Sequence, residues 1–233
     1  MLGAMTNKSA RQLTFELPGR TALGREDFFV SPSNGLALRI LDSDWQGQTR
    51  MVLTGPPGSG TTNLAHVWAH ENLAQVIPSA DLGGLLPSLL GDLSRALVVE
   101  DIDALAGERA REEPLFHLLN AYARAAAPLL MTLGGTAGEA GFALPDLTSR
   151  LLALPQATLE APDDQLLAVV LVKLFADRQL EVPAEVVAYL CRHMERSFTD
   201  AGAIVAAIDR ASLEEKRPIT RPLAATVLHT LYD

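Results

Sequence analysis

Between residues 50 and 160 the chain alternates short apolar runs with longer stretches of helical spacing. Met51–Val52–Leu53 runs into a Gly/Pro loop, as a buried parallel strand does. Thr62–Asn72 spaces Leu64, Ala65, Val67 and Trp68 as a helix does. Gln75–Val76–Ile77 predicts a short strand, and Ala96–Leu97–Val98–Val99 predicts one that ends in acids. Pro114–Ala127 predicts an amphipathic helix through Leu115, Leu118, Leu119 and Tyr122. Leu129–Leu133 is another apolar strand, stopped by Gly134–Gly135. Strands alternating with helices predict an α/β fold with a parallel sheet covered on both faces. Beyond Pro162 four helical patterns follow without a clear strand: 163–178, 183–195, 199–216 and one from about 221. Thr220 is a candidate N-cap there, and Pro222 suits a first turn, where its missing N–H costs nothing. The first twenty residues show little helical periodicity and close on Pro18–Gly19. The expected organisation is a tail over 1–20, an α/β core over 21–161 and a small all-helical domain over 162–233, hinged near Ala161–Pro162.

Composition narrows the classes. The 233 residues, 48% hydrophobic, suffice for one core and a small second domain. Nineteen Lys and Arg against 28 Asp and Glu give a net charge of −9. That balance argues against strong direct DNA binding or membrane-surface binding, which need clustered cations, but leaves room for a local basic patch. Only Lys8, Lys173 and Lys216 are lysines, so none lies between residues 9 and 172. Cys191 is the single cysteine and excludes a disulfide framework. It sits in an apolar helical pattern and is expected to be buried, as is Trp68; Trp45 gains no role. No uncharged apolar run reaches the ~20 residues of a membrane span. Met1–Lys8 lacks the apolar stretch of a signal peptide, and Met5 is a candidate natural start. These features predict a cytoplasmic protein. His66 and His70 are spaced i, i+4, but Val67 stands where a zinc helix carries its acid, so zinc is not expected.

Gly55–Pro56–Pro57–Gly58–Ser59–Gly60–Thr61–Thr62 follows a strand and opens a helix. Glycines in such a loop let backbone N–H groups close around phosphates, and the helix N-terminus adds partial positive charge. The pattern is G-x-x-x-x-G-K-[ST], with Thr61 at the lysine position. Thr62 keeps the hydroxyl that ligates Mg²⁺, but the mobile cation that offsets β/γ-phosphate charge is gone. Alone, the stretch also reads as a Gly/Pro turn. A second signal lies about forty residues on, where Leu97–Val98–Val99 ends in Glu100 and Asp101. This has the form of an acidic strand end with Glu100 on the metal side and Asp101 on the side of the attacking water. Asp103 is an alternative acid, and a solvated strand end is the simpler reading of the pair taken alone.

With both motifs in place the chain resembles the Hda-like, DnaA-homologous AAA+ family, and most of all its alphaproteobacterial type. Phe28–Asn34 is similar to the segment leading into the AAA+ core of DnaA, and Gly60–His66, including Asn63, to its helix start. Val99–Asp103 matches its acidic strand end, and Leu147–Leu151 resembles its arginine-finger box. Arg217–Thr220 before the last helix also fits. The resemblance spans nearly the whole chain and implies a P-loop AAA+ αβα core followed by a helical lid. No DNA-binding domain of the DnaA kind is expected after Asp233.

The resemblance also implies function. Gln12–Leu13–Thr14–Phe15–Glu16–Leu17 is similar to the peptide with which Hda proteins bind the DNA polymerase III sliding clamp. Gln12, Leu13, Phe15 and Leu17 would be its anchors; Glu16 departs from the usual apolar or Pro residue, and an edge strand is the alternative. Clamp-loaded Hda-like proteins stimulate hydrolysis of DnaA-bound ATP and so turn initiation off. Arg150 would be the arginine finger supplied in trans, against the plainer reading of a salt-bridged surface arginine. Thr132 stands near the family's polar sensor, without its acid. The family's lid sensor arginine falls at Thr199 or Asp200, not at Arg196 or Arg210. Weak ADP or ATP binding with Mg²⁺, held by the loop residues, Thr62 and Glu100, and little self-catalysed hydrolysis are therefore expected. An autonomous P-loop NTPase and an inactive AAA+ scaffold are the rival readings, and a homo-oligomer fits the resemblance too.

Overall fold

The central strands of the computed structural model alternate side chains between two apolar layers. The structure describes residues 29–43 and 47–232. The clamp-peptide candidates Gln12, Leu13, Phe15 and Leu17 lie outside them, as does Trp45. β1 (Arg50–Gly55), β2 (Gln75–Pro78), β3 (Leu97–Glu100), β4 (Leu129–Gly134) and β5 (Gln156–Thr158) form one sheet in the order β2-β3-β4-β1-β5. All its pairings are parallel. Val52, Val99 and Met131 face one layer, with Leu115, Leu118 and Tyr122 of α4 (Arg109–Ala125) and Leu147 and Leu151 of α5 (Pro145–Leu152). Met51, Leu53, Val98 and Leu130 face the other, with α1 (Gly35–Leu41) and Leu64, Ala65 and Trp68 of α2 (Thr61–Glu71). Two-sided burial explains why the strands read as unbroken apolar runs. Each fully buried Leu or Val contributes about 1.5–3 kcal/mol.

A third apolar cluster lies beyond the sheet. It joins α6 (Asp164–Asp177), α7 (Ala184–His193), α8 (Phe198–Glu215) and α9 (Arg221–Tyr232) around Phe175, Leu190, Ile208 and Leu223. The molecule is thus an αβα-layered core followed by a helical domain. Cys191 is buried in this cluster, and burial pushes its thiol pKa up. No helix among the described residues is long and apolar enough to cross a membrane.

The structure extends the sequence reading in places. α4 starts at Arg109, five residues ahead of Pro114, because Glu112 in its first turn is fully buried and hydrogen-bonded. α3 (Leu82–Gly91) had no legible pattern: Gly83, Gly84 and Pro87 interrupt its leucines. β5 is three residues long, too short for an alternation to show.

Candidate functional site

The loop between β1 and α2 sits at the C-terminal end of a strand flanked by β4 and β5, where the sheet order reverses. Open α/β sheets bind ligands at such a point. Gly58 and Gly60 have φ of 75° and 96°, the left-handed region that glycine tolerates best. Gly60 caps α2 without a side-chain hydrogen bond, and the first turn carries no acid. Its leading N–H groups therefore have no capping side chain, as anion binding requires. Ser59 is buried, and its Oγ has no hydrogen-bond partner. Pro56, Thr62 and Asn63 are exposed along the rim, while Gly55 is buried at the strand end and Thr61 is half-buried. A phosphate fits this loop: the donors, the curvature and an orphaned hydroxyl are all in place.

The acids stand across from it. His66 Nε2 donates to Glu100 Oε1 at 3.1 Å, so a side chain from α2 already occupies the acid expected on the metal side. Asp101 is exposed, with φ of 54°. Its N–H donates to Thr132 Oγ1 at 2.8 Å, and its carbonyl accepts from Ser79 Oγ at 2.7 Å. Thr132 and Ser79 together hold a conformation that costs a non-glycine residue energy. Asp103 Oδ1 accepts from Gly134 N at the end of β4. Among the described residues no group of three His, Cys, Asp or Glu is placed to hold a metal ion by itself.

The lid closes directly on the loop. Phe198 N donates to Gly58 O at 2.8 Å. A Cβ on Gly58 would stand 2.7 Å from Ser197 Cβ, and one on Gly60 would stand 2.9 Å from the Phe198 ring. Both glycines thus serve lid contact as well as loop curvature. Ser197 caps α8 by accepting from Asp200 N, which puts Thr199 and Asp200 in the first turn over the loop. The hinge is tied on both sides. Arg196 donates to Pro162 O and to Asp164 Oδ1, while Asp163 accepts from Leu166 N and from Ser33 N.

Arg150 lies elsewhere. α5 carries it in its last turn, and the chain then enters β5, whose Gln156 pairs with Val52 near the start of β1. Its own phosphate loop is at the far end of β1, a six-residue strand about 17 Å long. Arg150 is exposed, and its guanidinium lies 5.1 Å from the centre of the Phe116 ring. Among the described residues no carboxylate pairs with it.

Sequence reasoning missed Glu112. It is fully buried. It accepts from Gly107 N (2.9 Å), Ala143 N (2.7 Å) and Leu144 N (2.8 Å), so it fixes the entry to α5 and, with it, Arg150. The available signal was an acid three residues ahead of Leu115, in line with the apolar stripe of α4.

Residues 163–228 match the family model described as Hda, lid domain. The chromosomal replication initiator protein DnaA of Thermomicrobium roseum is 24% identical over 230 residues, covering 87% of this chain and 48% of that protein. The chain therefore spans about half the length of the curated relatives it matches. Domain III of Thermotoga maritima DnaA superposes with a TM-score of 0.75 at 18% identity, covering 92% of this chain and 98% of that one. AMPPCP-bound DnaA from Aquifex aeolicus gives 0.67 at 18% identity, covering 86% and 68%. Residues 163–228 are thus similar to the Hda lid domain, and the chain as a whole shares the fold of DnaA domain III.

Proposed function

We propose that this chain is a regulator that switches DnaA off by stimulating hydrolysis of the ATP that DnaA carries. Arg150 carries the reading: an exposed guanidinium, unpaired among the described residues, at the sheet edge opposite its own loop. In that position it is free to reach a second subunit's nucleotide. A guanidinium brought there offsets charge developing on the transferred phosphoryl group. Phe116 steadies it by about 0.5–1 kcal/mol without neutralising it, as a carboxylate would. In this reading Gln12, Leu13, Phe15 and Leu17 tether the chain to the sliding clamp, in the cytoplasm.

The chain's own loop plays a lesser part. A bound nucleotide would supply phosphate charge, and Mg²⁺ would offset part of it. The N–H groups of residues 58–62 would hold the phosphates, with Thr62 and Glu100 on the metal side. Thr61 provides no cation, His66 already engages Glu100, and Asp200 adds an acid near the loop. We therefore assign weak nucleotide binding and little turnover of its own.

Reconstitution with DnaA, clamp loaded on DNA and labelled ATP tests this. Arg150→Ala is expected to keep clamp binding and lose about 100-fold or more of the stimulation. Gln12→Ala with Leu13→Ala is expected to lose clamp capture. Full stimulation by the Arg150 variant refutes the reading.

A further inference from the structure

A second arginine stands by Arg150. Arg50 opens β1, two residues before Val52, whose N–H donates to Pro155 O at 3.1 Å. That pairing sets the start of β1 beside the segment leaving α5, the helix that presents Arg150. Arg50 is half-buried. Its Nε is sealed from solvent without an acceptor, and its Nη2 reaches Gln48 Oε1 at only 3.4 Å. No carboxylate among the described residues pairs with it. Burial, then the nearby Arg150 charge, draws its pKa below the usual guanidinium range. Two guanidiniums held close without an acid between them repel each other, and a multivalent anion relieves that repulsion. Guanidinium donors also fit phosphate oxygens in pairs.

We propose that Arg50 is the second cation of the trans site, binding the polyphosphate of a nucleotide presented by the partner beside Arg150 and making recognition depend on the partner's γ-phosphate. This rests on the finger assignment of Arg150. Arg150 is exposed in the last turn of its helix, placed to meet the reacting phosphoryl group. Arg50, at a strand start, is the stationary member and reads charge.

Binding of the full chain to clamp-loaded complexes containing ATP-bound or ADP-bound DnaA tests the proposal, together with single-turnover hydrolysis. The parent is expected to prefer the ATP form. Arg50→Gln is expected to weaken the ATP complex about tenfold, as loss of a charge-assisted hydrogen bond does, and to leave the ADP complex within about twofold. Arg50→Lys is expected to recover most of that preference. Equal weakening of both complexes, or an unchanged preference in Arg50→Gln, overturns the role of Arg50. If Arg150→Ala still stimulates fully, the finger reading fails and takes this inference with it. If Arg150→Ala is inactive while Arg50→Gln behaves as the parent, only the second-cation inference fails.

Discussion

A threonine at position 61 separates a loop that can cradle phosphate from one that can neutralise it. Backbone donors, Ser59 and an uncapped helix start remain, but the position that would face the β/γ-phosphates carries no charge. Thr61→Lys is expected to tighten ATP about tenfold, or ~1.4 kcal/mol, with a smaller gain for ADP. Titration calorimetry on both nucleotides measures it, and equal gains would show that the lysine position does not face the terminal phosphates. The loop was legible because its residues are consecutive. His66 was visible as half of a histidine pair and as the end of the helix-start resemblance; its contact with Glu100 joins residues thirty-four apart, and no local spacing encodes that.

Elements gain their positions from a few buried polar contacts, which composition and periodicity hide. Glu112 is the clearest case. Glu112→Ala strands three N–H donors and is expected to cost about 3 kcal/mol or more. Glu112→Gln keeps an acceptor for Gly107 and Ala143 but sets its amide N–H against Leu144 N–H, so its cost falls between. Denaturant midpoints rank the three proteins, and stimulation of DnaA-bound ATP hydrolysis should fall in the same order as α5 loosens. The hinge obeys a different variable. At Asp163, burial works to raise the pKa, but hydrogen bonds from Leu166, Ser31 and Ser33 outweigh it and hold the carboxyl below the usual aspartate range. A depressed pKa stabilises the fold fully above the ordinary aspartate pKa of about 3.9, and that contribution is lost as pH falls through the folded value. Asp163→Asn is expected to remove this acid-side dependence and to cost about 1 kcal/mol or less near neutral pH, since asparagine also caps helices. Melting temperatures of both proteins from pH 3 to 7 should therefore converge at the acid end.

Across the whole molecule the sheet separates two chemistries. Its loop end meets the lid through Phe198 and Gly58, and the lid is further tied by Arg196 at Pro162 and by Asp163 at Ser33. These protein contacts join the lid to the core. The opposite end holds Arg150 and Arg50, and in the proposed function it acts without a contribution from the chain's own nucleotide. Damage at one end should therefore leave the other working. Thr62→Ala is expected to weaken the chain's own Mg-nucleotide binding at least several-fold while stimulating DnaA within about twofold of the parent. Arg150→Ala is expected to do the reverse, binding nucleotide as the parent does and failing to stimulate. Gly58→Ala falls in neither class: a Cβ there meets Ser197, so it should unseat the lid and lower the melting temperature before it alters either activity. Nucleotide titration and single-turnover stimulation on the same three variants decide the matter. If Thr62→Ala loses stimulation in step with nucleotide, the two ends are coupled through the lid, and the chain's own nucleotide governs the finger after all.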